Sequence, residues 1–220
     1  MQPQLGLRIA LFGPPGAGKG TQARLLCTRF GMLHISTGNI LRRAIKEQTP
    51  IGLEARAYIH QGNLVPDELV RDLAEEAMRV SAFEDFVLDG YPRTCQQAEW
   101  LTGFLNRRER PLSAIVYLML SDEEVVTRLS RRRVHKETGE NFHLDYKPPP
   151  PEIQHLMLQR RDDQPAAIRH RLRVYEAETQ PLVRYFSKAG LLHEVDALGS
   201  IETVHARVCA LLQSLKGRLN

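Results

Sequence analysis

Cysteine is scarce. Cys27, Cys95 and Cys209 lie far apart with no C-x-x-C spacing, which argues against a disulfide framework and a cysteine zinc site and makes a reducing compartment the expectation. Long apolar runs are lacking too: the longest, "AIVYLML" from Ala114 to Leu120, falls far short of the roughly 20 residues that span a bilayer. The opening "MQPQLGLR" has neither the basic start nor the apolar run of a secretory signal. A cytoplasmic protein with no membrane partner is expected. Charge of one sign is not in large excess. Thirty Lys and Arg against 26 Asp and Glu give +4, too mild by itself to imply a nucleic-acid partner. No internal repeat or extended low-complexity tract occurs.

What is present is ordinary globular material: 220 residues, 42% hydrophobic and 25% charged, enough for one core with small excursions from it. Residues 1–220 are therefore expected to form one domain. Apolar runs bounded by turn signals, "LRIALF" from Leu7, "FVLDG" from Phe86, "AIVYLML" from Ala114 and "LHEVD" from Leu192, read as strands buried on both faces. "LHIS", Leu33 to Ser36, adds a fifth short strand. Between strands, Ala23, Leu26, Cys27 and Phe30 fall at i, i+3, i+4 and i+7 on one helical face. The alternation predicts an α/β fold with a parallel sheet covered on both faces and ligands at the carboxyl ends of its strands.

Two segments interrupt the alternation. Thr37 to Val65 carries helical pieces with no strand between them. Arg131 to Asp163 is polar and irregular, and its four successive prolines, Pro148 to Pro151, exclude helix and central strand. A connection of that length is a functional lid or a disordered linker. The arginines at its flanks favour a lid, carried by a long helix from about Gln164 to Ala189.

"FGPPGAGKGTQA", Phe12 to Ala23, joins the first strand to the first helix. Gly13, Gly16 and Gly18 let the backbone curl so that its N–H groups face a phosphate, and the helix behind adds its positive end. Lys19 reaches the terminal phosphates, which a mere connecting turn would not require. The pattern G-x-x-x-x-G-K-[ST] is nearly met, but Gly20 follows the lysine and the hydroxyl comes at Thr21.

A second phosphate site is suggested by "STGNILRRA", with Thr37 as the expected N-cap and Arg42 one turn in. Alone, it reads equally as a capped helix with exposed arginines. In "LDGYPRTCQQA", Asp89 ends a strand, where a carboxylate can hold the water shell of a magnesium ion, and Arg93 projects nearby. "TRLSRRRVH" and "QRRDDQPAAIRHRL" bracket the insertion. Read singly, these arginines are solvated charge, with Asp162 and Asp163 pairing with Arg132 or Arg133. Together they suit phosphoryl transfer, whose spreading negative charge matches planar guanidinium forks.

In order along the chain, "GPPGAGKGTQA", "STGNILR", "GNLVPDELV", "DGYPRTCQQA", "RRRVH" and "RRDDQPAAIRHRL" resemble motifs of the adenylate kinase family, and the resemblance runs from Arg8 to about Ala189. It implies a three-layer P-loop fold with a five-stranded parallel sheet, a monophosphate-binding insertion at 36–65 and a lid at 131–163. It also implies reversible magnesium-dependent transfer, ATP + AMP = 2 ADP, by direct in-line attack in a monomer. Lys19, Arg93, Arg132, Arg160 and Arg171 would be catalytic. ATP would lie on Gly16, Ala17, Gly18, Lys19, Gly20, Thr21, Arg128, Arg132, Asn141, Phe142 and Gly199. AMP would lie on Thr37, Gly38, Arg42, Asn63, Leu64, Val65, Gly90, Tyr91, Pro92, Arg93, Gln97, Arg160 and Arg171, with Gln97 reading adenine. Magnesium would be held through water by Asp89 and Thr21, and Asp162 and Asp163 would close the lid.

The chain departs from the family pattern in places. Asn39 stands where aspartate is usual, Tyr91 and Phe142 exchange phenylalanine and tyrosine, and the lid is about five residues short by motif counting. His135, Thr138 and His143 suit a polar network better than a metal, so no zinc is expected. Competing readings are a kinase with UMP or CMP as acceptor or GTP as donor, and a P-loop switch. Against the switch, no N-K-x-D guanine motif occurs and Arg42 and Arg93 would have no second phosphate to bind.

Overall fold

A computed structural model describes residues 5–80 and 82–219; residues 1–4 of the opening segment lie outside it. Each apolar run forms a strand: β1 (Arg8–Phe12), β2 (Leu33–Ser36), β3 (Phe86–Asp89), β4 (Ala114–Met119) and β8 (Leu192–Asp196). They pair in parallel in the order β2-β3-β1-β4-β8, with Ile9 opposite both Val87 and Ala114. Because side chains alternate across a strand, Leu7, Ile9 and Leu11 pack on one face and Ala10 and Phe12 on the other. The first face is covered by α1 (Lys19–Phe30) and α9 (Ile201–Leu219) through Ala23, Leu26, Phe30, Val208 and Leu212. The second is covered by α4 (Asp67–Val80), α5 (Cys95–Asn106) and α8 (Pro181–Lys188) through Ala74, Met78, Leu101, Phe104 and Phe186.

Burial on both faces holds for the central strands only. In β8 the side chains of Glu194 and Asp196 are exposed, because this strand is the sheet's edge and has a neighbour on one side alone.

The first interruption forms α2 (Thr37–Lys46) and α3 (Pro50–Gln61). The N-cap of α2 is Ser36, not Thr37: the Ser36 hydroxyl accepts from the Asn39 N–H. Thr37 is the first helical residue, and its hydroxyl instead donates to the Gly90 carbonyl at 2.9 Å. The second interruption is not irregular. After α6 (Asp122–Arg131), strands β5 (Arg132–His135), β6 (Asn141–His143) and β7 (Met157–Leu158) form a separate antiparallel sheet in the order β6-β5-β7. Its strands are too short and polar to show a period. Pro148–Pro150 adopt no regular structure and Pro151 starts a 3₁₀ turn, where a missing N–H costs nothing. The helix after it is also divided. α7 (Pro165–Val174) passes through a π-helical turn at Tyr175–Thr179 before α8, and Pro181, lacking an N–H, stands just beyond that turn.

α2 and α3 cross so closely that a methyl group at Gly52 would fall on the Ala44 carbonyl. Gly52→Ala should therefore cost about 1–3 kcal/mol as an overpacked contact, read from the urea midpoint; an unchanged midpoint would mean that the crossing is not tight.

Candidate functional site

β1 and β3 end beside one another, and the loops that leave them, with the start of α2 and the Gly199–Ile201 turn after β8, wall a cleft of about 530 Å³. The loop after β1 curls through Gly13, Gly16 and Gly18 at φ of 135°, 84° and 91°, a left-handed backbone open to glycine. Gly13 also lies against the Leu118 carbonyl, leaving no room for a side chain. Gly18 caps α1. Lys19 folds over this loop and donates to the carbonyls of Gly13 at 2.7 Å and Pro14 at 2.8 Å. Burial pushes Lys19 down to about 7 against the pull of Asp89, and the charges of Arg93, Arg171 and Arg132 push it further. A bound anion would reverse that shift.

Gly20, the departure from the strict motif, has a spatial explanation. A Cβ there would lie 3.1 Å from Asp89 Oδ2, so the bare backbone gives the carboxylate room. That oxygen accepts from His34 Nε2 at 3.3 Å and from the Ser36 hydroxyl at 3.2 Å. Burial opposes ionisation of Asp89, but the His34 hydrogen bond and the charges of Lys19, His34 and Arg93 outweigh it and hold the pKa at about 2.

The arginines are held by side-chain and backbone partners. Arg93 Nε donates to the Gly90 carbonyl at 3.0 Å, while the Thr179 hydroxyl donates to the Arg93 carbonyl at 3.0 Å. Arg42 Nη2 donates to Asn39 Oδ1, and Arg160 Nη2 to Asn141 Oδ1, each at 2.7 Å. Asp163, with no solvent exposure, takes Arg132 Nε at 2.8 Å and Nη2 at 2.5 Å, and also Arg171 Nη1 at 3.2 Å. Asp162 pairs with Arg171 at 3.0 Å. Burial and then Arg132 push Arg42 down to about 10 and Arg160 to about 8. Cations crowd here beyond the number of carboxylates, and a polyanion is what they lack.

Of the residues singled out in the sequence, Gly16 to Thr21, Gly38, Arg42, Leu64, Asp89, Gly90, Pro92, Arg93, Arg128, Arg132, Asn141, Phe142, Arg160, Arg171 and Gly199 line this cleft. Asn63, Leu64 and Val65 line a second recess beside it, with Asp67, Thr94 and His170. Thr37, Tyr91 and Gln97 lie buried behind the wall. The Gln97 amide is engaged there, accepting from the Arg93 N–H at 2.8 Å and donating to Asp67 at 2.7 Å. Histidines of the second insertion also serve as acceptors: His135 Nδ1 takes the N–H groups of Glu137 and Thr138, and His143 Nδ1 those of Asp145 and Tyr146. Among the described residues, no group of three His, Cys, Asp or Glu is placed to hold a metal ion.

The family model for adenylate kinase matches residues 11–191. The chain belongs to the adenylate kinase family. Its relatives include the adenylate kinase of Salinibacter ruber, 53% identical over 96% of this chain and all of that protein. The adenylate kinases of Geobacter sp. strain M21 and Chloroherpeton thalassium are 42% and 41% identical, each over 94% of this chain and 100% and 99% of theirs. Several groups that complete this adenylate kinase cleft carried no sequence signal. His34 and Ser36 on Asp89, Asn39 on Arg42, and Thr179 on Arg93 act across contacts that only folding creates or, for Asn39, through a residue read only as a departure. No described helix is long and apolar enough to cross a membrane.

Asp89 has a depressed pKa, so its contribution to stability is present above the unfolded value near 3.8 and is lost as pH falls toward about 2. Asp89→Asn should remove about 2 kcal/mol at pH 7, with the gap to the parent closing across that window. Urea unfolding at pH 2 to 7 without magnesium measures it; a gap independent of pH would contradict the assignment.

Proposed function

We propose that the chain catalyses reversible transfer of the γ-phosphoryl group of ATP to AMP, giving two ADP. The observation that carries this reading is the convergence of Lys19, Arg42, Arg93, Arg132, Arg160 and Arg171, from separate segments of the chain, on one cleft. One nucleotide would leave much of that charge unmatched. Two phosphate chains meeting end to end match it.

In the reaction an oxygen of the AMP phosphate forms a bond to the γ-phosphorus as the bond to the bridging oxygen of ADP breaks. No general base is required, because the attacking oxygen is already ionised at neutral pH. The protein's work is positioning and charge stabilisation. The loop from Gly13 to Gly18 and the start of α1 hold the donor phosphates, with Lys19 exchanging its loop carbonyls for them. Arg42 and Arg93 hold the AMP phosphate. Arg132, Arg160 and Arg171 surround the transferring group, with Arg132 and Arg171 aimed by the buried carboxylate of Asp163. Arg128, tied to Glu124 at 2.9 Å and to the Ala197 carbonyl at 3.0 Å, stands on the donor side with Gly199.

Asp89 is ionised, part-buried and turned to Gly20, and Thr21 is on the same wall. This donor set fits the water shell of a magnesium ion, a hard cation that prefers oxygen and keeps its waters. When bound with ATP, magnesium neutralises charge between the donor phosphates.

Residues 36–65 and 131–163 are read as the two parts that close and exclude water from the transfer. Lys46 Nζ to the Glu137 carbonyl at 3.3 Å and His170 to Asn63 at 2.6 Å are contacts consistent with closure. Every group in the reading comes from one chain, so a monomer suffices, and the cytoplasm is the expected compartment.

Purified protein with ATP, magnesium and each nucleoside monophosphate in turn should form ADP with AMP; gain only with UMP or CMP would replace the acceptor, and AMP-independent hydrolysis would sink transfer. Lys19→Ala should lower kcat by about 10²–10³, the scale for removing one donor to developing charge. Arg93→Ala should lower kcat and raise the KM for AMP, and an unchanged response to AMP would remove it from the site.

A further inference from the structure

Three polar side chains that the transfer does not use form a single hydrogen-bonded line between α1 and α9. Gln22 is 2% exposed and donates from Nε2 to the Ile201 carbonyl at 3.1 Å. That carbonyl only accepts, so the Gln22 amide oxygen points the other way, to His205 Nδ1 at 3.0 Å. The oxygen requires a proton on Nδ1. In a neutral ring this leaves Nε2 as an acceptor, and Cys209 Sγ lies 3.3 Å from it. One fixed end sets every proton in the line.

The charge states agree with that order. Burial, joined by Arg29, holds His205 below its ordinary pKa, and burial pushes the Cys209 thiol up although Arg29 opposes it. Neutral imidazole and S–H are the species that the line needs.

Its position connects two parts of the cleft. Gln22 lies one turn into α1, next to Thr21 and directly behind the phosphate loop. Ile201 opens α9 immediately after Gly199 and Ser200, and all five of these residues line the cleft. Other tethers of this turn, such as Arg207 to the Leu198 carbonyl at 2.7 Å and Asp196 to the Leu198 N–H at 2.9 Å, are on exposed residues. Arg128, part-buried, holds the Ala197 carbonyl ahead of the turn at 3.0 Å, and the buried Gln22 holds its last residue, Ile201.

We propose that Gln22, oriented by His205 and Cys209, is a positioning residue of the donor-nucleotide site: it ties the Gly199–Ile201 turn to the helix of the phosphate loop. The wall beside the donor's base then keeps a fixed distance from the groups that hold its phosphates. The inference rests on the reading of this part of the cleft as the donor side.

Steady-state kinetics with ATP and AMP varied separately test it, using Gln22→Glu, His205→Phe, Cys209→Val and Cys209→Ser, with GTP as a competing donor. Gln22→Glu sets a carboxylate against the Ile201 carbonyl. It and His205→Phe should raise the KM for ATP about fivefold to tenfold, on the scale of one or two lost hydrogen bonds, leave the KM for AMP within about twofold, and narrow the preference for ATP over GTP. Cys209→Val should show a smaller shift of the same kind, and Cys209→Ser, which keeps a donor, should restore the parent values. If Gln22→Glu does not fold, the Val and Ser variants at Cys209 decide. A lowered melting temperature with no change in either KM would reduce the line to packing and overturn the tether. A shift confined to AMP would overturn the donor placement on which the inference rests.

Discussion

Lys19, Arg42, Arg93, Arg132, Arg160 and Arg171 are brought to one cleft, where burial and mutual repulsion lower the pKa of Arg42 and Arg160. Such crowding is costly in an empty protein, since each guanidinium loses water and faces like charge. Asp163 offsets part of it from a fully buried position by bridging Arg132 and Arg171. Asp89 offsets another part beside Lys19. What remains uncompensated is complementary to phosphate chains, so the feature that strains the free protein is the one that suits it to the proposed transfer.

The sheet makes this crowding possible. β1 and β3 run in parallel and in register, with Leu11 opposite Asp89, so the phosphate loop and the Asp89–Arg93 turn leave the sheet at its carboxyl end. α2 starts directly from β2, whose Ser36 is opposite Asp89, and this brings Arg42 to the same end. The arginines of the second insertion and of α7 arrive by another route: β5 begins at Arg132, and α7 carries Arg171. Rigid elements supply the positions, while the polar partners supply the orientations.

Much of this was legible locally. The phosphate loop needs glycines and a lysine at fixed offsets, and the strands need unbroken apolar runs, so residues adjacent in sequence carry their own signal. Motif resemblance extended that reading to Arg42, Arg93, Arg128, Arg132, Arg160 and Arg171. It did not extend to the antiparallel sheet of the second insertion, whose strands span only two to four residues. Nor did it reveal the π-helical turn that places Thr179 on the Arg93 carbonyl. The capping of α2 by Ser36 rather than Thr37 was decided by a hydrogen bond to Gly90, 53 residues away.

By itself, the sequence determined the alternating strands and helices, the phosphate loop and the surplus of arginine around a long insertion, because periodicity, glycine conformation and charge are properties of neighbouring residues. Tertiary structure alone decided that His34 and Ser36 hold Asp89, that Gly20 gives that carboxylate room, and that Gln22, His205 and Cys209 stand in line. These depend on side chains 53 to 183 residues apart or on one backbone passing another. No local pattern encodes a contact that exists only once the sheet has brought its strand ends together.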